Sequence, residues 1–246
     1  MMSDPTKIFP ASDLKIYPLG EQAVTIHFSD AINETVAANI RAFDKSLALH
    51  PFHGFNSTIL AYGSLTVLYD LEKVATANLP GESCFDRVAK YLRTLTVSPE
   101  LQTVSTTKTI EVPVCYGGLL GPDLTEVSTV KKLNESSVVQ LHSSAIYTVY
   151  MIGFVPGFAY LGGMDARLSS PRKSQPRPAV PAGAVGIAGF QTGIYPMITP
   201  GGWQIIGQTP LELFDPNRDQ PSLFKAGDQI QFKPIGLEGF HDYTKS

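Results

Sequence analysis

The sequence predicts an α+β protein of two domains, a small N-terminal α+β module followed by a β-barrel. Three observations carry this reading. Residues 14–95 alternate strand-like and helix-like periods in the order ββαββα. A polar, Ser/Thr-rich stretch over 98–109 then interrupts both periods and reads as a join. Beyond it, residues 153–210 hold 11 of the 21 glycines and 8 of the 19 prolines. No helix survives that density, so this part must be short strands and turns, the spacing of a closed or nearly closed barrel. The boundary is placed to give domains 1–105 and 106–246.

The elements follow in order. Residues 1–12 are polar and aperiodic and are expected to fray. Strands at 14–17 and 23–28 flank a Pro18-Leu19-Gly20 turn. Ile32, Val36, Ile40, Phe43 and Leu47 share one helical face, with Asp30 as the expected N-cap. Strands at 57–62 and 65–69 pivot at Gly63. A second helix fits 85–95, capped by Ser83 with Asp86 three residues on. In the second domain a strand at 110–115 ends at Gly117-Gly118. Two short helices, 122–133 and 136–142, precede an apolar strand at 145–152. Residues 229–234 supply a last strand, and the final ten residues read as irregular.

Composition excludes several classes. Of 246 residues, 43% are hydrophobic and 17% charged, enough apolar mass for a buried core and too much for disorder. Net charge is −3, from 19 basic and 22 acidic residues, without the basic excess of a nucleic-acid binder. No apolar run approaches the ~18 residues of a membrane span. No apolar segment follows a basic start at 1–10, so no secretory signal is expected. Cys84 and Cys115 form no C-x-x-C pair and read as two buried thiols in a reducing cytoplasm, not as a zinc site or a disulfide framework. His27, His50, His53 and His241 have no metal-ligand spacing, and no phosphate loop, dinucleotide fingerprint or nucleophile elbow occurs.

One segment carries chemistry. Residues 166–211 contain Arg167, Arg172, Lys173 and Arg177 and no acid, a local positive field in a net acidic chain. Arg172 and Arg177 each follow a proline, which fixes the backbone ahead of the side chain. Arginine is the residue for bidentate capture of carboxylate or phosphate. The two guanidinium groups are expected to converge on an anion at the barrel mouth; the alternative is a pair of solvated loop arginines. The run Gly153-Phe154-Val155-Pro156-Gly157-Phe158-Ala159-Tyr160 places aromatics between glycines, as a pocket wall or as a barrel corner. Gln191 and Tyr195 offer neutral hydrogen-bonding groups, and Gly201-Gly202-Trp203 follows. Trp203, the only tryptophan, either stacks on a ligand or plugs the barrel. His142 is a candidate general base or donor, against the alternative of a structural histidine.

At these residues the sequence resembles a known family. The run Met151-Ile152-Gly153-Phe154-Val155-Pro156-Gly157-Phe158-Ala159-Tyr160-Leu161-Gly162-Gly163 is similar to the signature of the 5-oxoprolinase B-subunit family, also known as allophanate hydrolase subunit 1 or the KipI-type kinase inhibitors. The match continues through Pro171-Arg172, Pro176-Arg177, Val180-Pro181-Ala182-Gly183, Gln191-Thr192-Gly193-Ile194-Tyr195-Pro196 and Pro200-Gly201-Gly202-Trp203. Upstream, Pro18-Leu19-Gly20-Glu21-Gln22-Ala23, Val112-Pro113-Val114-Cys115-Tyr116-Gly117-Gly118, Gly121-Pro122-Asp123-Leu124 and Leu141-His142 also fit, so the likeness covers nearly the whole chain.

The resemblance implies that the barrel is cyclophilin-like. It implies a cytoplasmic component acting with the A and C subunits of a 5-oxoprolinase to open 5-oxo-L-proline to L-glutamate at the expense of ATP, with magnesium. No residues here look suited to magnesium, so the nucleotide is expected largely on the partner chain. The substrate class is a small anionic lactam or amide, with no metal site, nucleic acid or membrane involved. Catalytic roles are expected for His142, Arg172 and Arg177, and substrate binding for Gln191, Tyr195, Gly201, Gly202 and Trp203. The alternatives within the family are inhibition of a sensor histidine kinase and a place in an allophanate- or urea-hydrolysing complex. Fold analogy alone would add a peptidyl-prolyl isomerase.

Overall fold

The computed structural model describes residues 14–98, 101 and 109–243. The expected irregular start and the 105/106 join lie outside the described residues. Two compact units divide between Thr106 and Thr107.

The first unit is a four-stranded antiparallel sheet backed by helices. Strands β1 (Lys15–Pro18), β2 (Ala23–His27), β3 (Phe55–Leu60) and β4 (Ser64–Tyr69) lie in the order β1-β2-β4-β3. Period-2 alternation sends Val24, Ile26, Leu65, Val67 and Tyr69 into a core with Ile40, Phe43, Leu47, Val88 and Leu92. On the reverse face the hydroxyls of Thr25 and Thr66, register partners, hydrogen-bond at 2.9 Å. The core helices are α1 (Glu34–Leu49) and α3 (Cys84–Thr94), with the short α2 (Leu71–Thr76) between them in sequence. Ser83 caps α3 as expected, its Oγ accepting the Asp86 N–H.

Two expectations are corrected here. The cap of α1 is Asn33, whose Oδ1 accepts the Val36 N–H at 3.0 Å, and Asp30 lies outside the helix beside His27. Both residue types cap well, and only the placement of Val36 in the core decides between them. The α2 turn has no sequence signal of its own, because six residues are too few to show a stripe; Asp70 caps it.

The second unit is a closed seven-stranded barrel. Its strands are β5 (Ile110–Tyr116), β6 (Tyr147–Ile152), β7 (Ala159–Gly162), β9 (Ala184–Ala188), β10 (Gln191–Ile194), β12 (Gln204–Gln208) and β13 (Gln229–Pro234). They close in the order β10-β7-β6-β13-β5-β12-β9. All pairs are antiparallel except β5 with β13. Helices α4 (Leu124–Lys131) and α5 (Glu135–Ser144) connect β5 to β6, and α5 packs on β13. Strands β8 (Arg177–Val180) and β11 (Thr199–Gly201) form a separate two-stranded ribbon. Pro178 and Pro200 are tolerated there because the ribbon has no third strand to bond.

As expected, the segment 153–210 forms strands, turns and a single 3₁₀ turn at Ala166–Leu168. The C-terminal residues differ from expectation: Leu237–Tyr243 form helix α6, which packs on β5 and buries Phe240. Cys84 is half-buried, and Cys115 is buried. No helix among the described residues is long and apolar enough to cross a membrane.

Candidate functional site

Alternation along the barrel strands decides which side chains can form a site. Ala159, Leu161, Val185, Ile187 and Ile194 point into the barrel and join Val112, Tyr147 and Phe232 in its packed core. Seven strands leave a narrow interior, and these inward-facing side chains pack it. The intervening residues, Tyr160, Ala184, Gly186, Ala188, Gly193 and Tyr195, therefore face outward. A second apolar cluster sits there, built from Phe158, Val180, Ala184, Ala188, Tyr195, Trp203 and Ile205. The site is thus on the outer wall of the barrel, where an anion site in the mouth was expected.

A cavity of about 230 Å³ opens in this cluster. Phe154, Phe158, Tyr160, Tyr195 and Trp203 supply its aromatic surface, Arg172 its charge, and Gly201 and Gly202 its exposed backbone. Phe158 is the hub: its ring stands edge-on to Phe154, Tyr195 and Trp203 at 5.6, 5.0 and 5.4 Å, and lies 4.6 Å from Tyr160. Such edge-to-face packing fixes ring orientation. The aromatic wall lies close to the sheet for a definite reason. Gly186 and Gly193 are register partners on β9 and β10. A Cβ on Gly193 would come within 3.0 Å of the Phe158 ring, and one on Gly186 within 3.0 Å of the Trp203 Cβ. Two paired glycines let both aromatic residues lie directly on the sheet.

The electrostatics are asymmetric. Arg172 is exposed and makes no ion pair among the described residues. Burial pushes the Tyr195 hydroxyl up to about 12, against the pull of the Trp203 N–H, of Arg172 and, more weakly, of Arg177. Burial likewise raises Tyr160, with Arg172 pulling it down. Both phenols are neutral at neutral pH. The Tyr195 oxygen accepts the Trp203 backbone N–H.

Arg172, Tyr195, Gly201, Gly202 and Trp203, all expected at the site, meet in this cavity. Arg177, Gln191 and His142 do not line it. Arg177 turns to Asp123, its Nη2 donating to Oδ1 at 2.6 Å, while its Nη1 is buried without an acceptor. Gln191 opens β10 opposite Ala188, at the hairpin.

His142 is fully buried inside the barrel, stacked on Phe232 at 4.4 Å. Its tautomer follows from its neighbours. Thr192 Oγ1 spends its proton on the Gly186 carbonyl, so at 2.9 Å it accepts from the His142 Nε2–H. Nδ1 is then the acceptor for the Tyr116 hydroxyl at 2.8 Å. Desolvation lowers the His142 pKa to about 3, so the ring is neutral. Through Thr192 it is tied to the Gly186 carbonyl, on the strand that carries the Trp203 side of the aromatic wall.

The site also includes residues outside the expected set. Phe158 and Tyr160 were legible as alternation with Ala159 and Leu161, because a strand with one face in the barrel must aim the other outward. Asp123 was not legible: nothing local in the sequence reports a pairing with Arg177 across the chain.

The residues present can be tested against a magnesium-bound nucleotide. The lining contains no carboxylate, the ligand magnesium takes from proteins. The volume is also below the ~300–1,000 Å³ typical of pockets for drug-sized ligands. Among the described residues, no three His, Cys, Asp or Glu side chains gather as a metal site. The cavity does not fit that group.

A barrel with an outer aromatic cavity and one uncommitted guanidinium defines the class, and the family described as "Carboxyltransferase domain, subdomain C and D" matches residues 14–224. The chain is 44% identical to the B subunit of 5-oxoprolinase from Bacillus subtilis, covering 94% of this chain and 97% of that protein. It is 40% identical to the B subunit of 5-oxoprolinase from Escherichia coli O157:H7, covering 89% and 95%. Among solved structures, a conserved uncharacterized protein from Pyrococcus horikoshii is 40% identical, with a TM-score of 0.54, covering 92% of this chain and 100% of that one. The chain belongs to the family of 5-oxoprolinase B subunits.

Proposed function

We propose that this chain is the B subunit of an ATP-driven 5-oxoprolinase, which opens 5-oxo-L-proline to L-glutamate together with A and C subunits. We further propose that the outer-wall cavity holds the lactam. The near full-length likeness to B subunits supports the first part. The observation that carries the second is Arg172, a cation without an internal partner set in an aromatic cavity.

The chemistry matches group by group. 5-Oxoproline is a compact five-membered ring with one carboxylate. Arg172 takes the carboxylate in a charge-assisted pair. Phe158, Tyr160 and Trp203 pack the ring and exclude water from it. Tyr195, kept neutral by burial, has an O–H to donate to the lactam oxygen. An amide is a poor electrophile, so ring opening needs the free energy of ATP hydrolysis. The cavity lining does not fit the nucleotide, which supports the reading that ATP hydrolysis takes place largely on a partner chain. The role of this chain is to bind and orient the lactam, and His142 and Arg177 support the wall and the segment 171–177 beside it.

Reconstitution tests this. The full chain is mixed with A and C subunits, and ADP and glutamate release are followed. A hydrogen bond to a charged group contributes about 1.5–3 kcal/mol, so Arg172→Ala should raise KM for 5-oxoproline on the order of 10- to 100-fold. An unchanged KM would remove the cavity from the reaction.

A further inference from the structure

The segment 171–177 is a strap that carries three cations past the cavity, and only one of them reaches it. Its backbone is fastened on both sides of Arg172. The Pro171 carbonyl accepts from Gln204 Nε2 at 3.1 Å, and the Lys173 N–H donates to the Gly202 carbonyl at 2.7 Å. The other two cations converge on one buried carboxylate. Asp123 Oδ1 receives Arg177 Nη2 at 2.6 Å and Lys173 Nζ at 3.0 Å, and Oδ2 receives the Ile205 N–H at 2.6 Å.

Asp123 occupies the N-cap position of α4 but makes no side-chain cap bond there. Both of its oxygens are spent on the strap and on β12. Burial by itself would push this carboxyl up, but the bonds from Arg177, Ile205 and Lys173 hold it below its usual range. Glu126 also takes Lys173 Nζ, at 2.8 Å. Asp123 and Glu126 thus balance Lys173 and Arg177 one for one, and Arg172 is left as the uncompensated charge.

We infer that Asp123 is a positioning residue for ligand binding: by holding Lys173 and Arg177 against β12 and α4, it fixes the strap so that Arg172 alone of the three cations lines the cavity. This rests on the reading of the cavity as the lactam site. Without the carboxylate, the strap keeps its two backbone bonds and the Lys173–Glu126 pair but loses both anchors on Asp123. Arg172 would then sample more orientations, and Arg177 would be free to draw an anion away from the aromatic walls.

The test is a double-mutant cycle on the full chain, read as 5-oxoproline binding by the fluorescence of Trp203, the only tryptophan and part of the cavity wall. Wild type, Asp123→Asn, Arg172→Ala and the double variant are titrated. Asp123→Asn should raise Kd on the order of 10-fold, and the double variant should bind within about 2-fold of Arg172→Ala alone, because residues acting through one another are not additive. A merely structural Asp123 would instead give effects that multiply, and that result overturns the inference, as does wild-type affinity in Asp123→Asn. Should Asp123→Asn fail to fold, Lys173→Met removes one anchor at the surface. It should weaken binding several-fold in wild type and not in the Arg172→Ala background, and unchanged affinity in wild type overturns the inference. A wild-type chain that does not bind 5-oxoproline at all defeats the reading of the cavity itself, and the inference with it.

Discussion

The neutrality of His142 has a consequence for stability that can be measured. In the folded chain its pKa is about 3, and in the unfolded chain it returns to about 6.5. The unfolded state therefore binds more protons in acid. The stabilisation tied to the neutral ring is present above about pH 6.5 and drains away as the pH falls towards 3. Each unit of pH within that window removes about 1.4 kcal/mol, so moving from about pH 7 to about pH 4.5 should cost roughly 2–3 kcal/mol through this one group. The structural cause is desolvation: a charged imidazolium would stand in a dry barrel, and its Nδ1, which accepts from Tyr116, would no longer be an acceptor. Carboxylates also titrate in this range, so the measurement is a difference. Urea midpoints of wild type and His142→Gln are compared at the two pH values. The variant should be less stable at neutral pH, because it loses the Phe232 stack and the fitted pair of hydroxyl partners, but it should lose roughly 2–3 kcal/mol less on acidification. Parallel losses in the two proteins would show that His142 is already charged or solvated, and the supporting role given to it would be wrong.

Two further outcomes follow from packing. Gly193→Ala sets a methyl group 3.0 Å from the Phe158 ring, and overpacking of this kind costs about 1–3 kcal/mol. It should also raise KM for 5-oxoproline in the reconstituted complex, whereas Gly236→Ala, whose new Cβ meets nothing, should change neither. In the first unit, Asn33→Ala removes the cap of α1 and should lower stability by about 1 kcal/mol in thermal unfolding, while Asp30→Ala should leave it nearly unchanged.

Local chemistry determined much of this protein directly from its sequence. The helix stripes of Ile40, Phe43 and Leu47 and of Val88 and Leu92 follow from the residues alone. So does the Ser83 cap, as does the exclusion of helix from the glycine- and proline-dense segment, because each depends on neighbours within a few positions. The set Arg172, Tyr195, Gly201, Gly202 and Trp203 was legible as one segment of the sequence, and these residues line one cavity. What only the tertiary structure decided is which face of the barrel each side chain meets. Closing seven strands filled the interior, sealed His142 inside it and moved the cavity to the outer wall, where Gly186 and Gly193 are paired across two strands. It also separated Arg172 from Arg177, two residues with the same local motif, by bringing up the Asp123 carboxylate from a distant helix terminus. Charge pairing and sheet register join positions far apart in the chain, and one sequence read along its length holds no record of those distances.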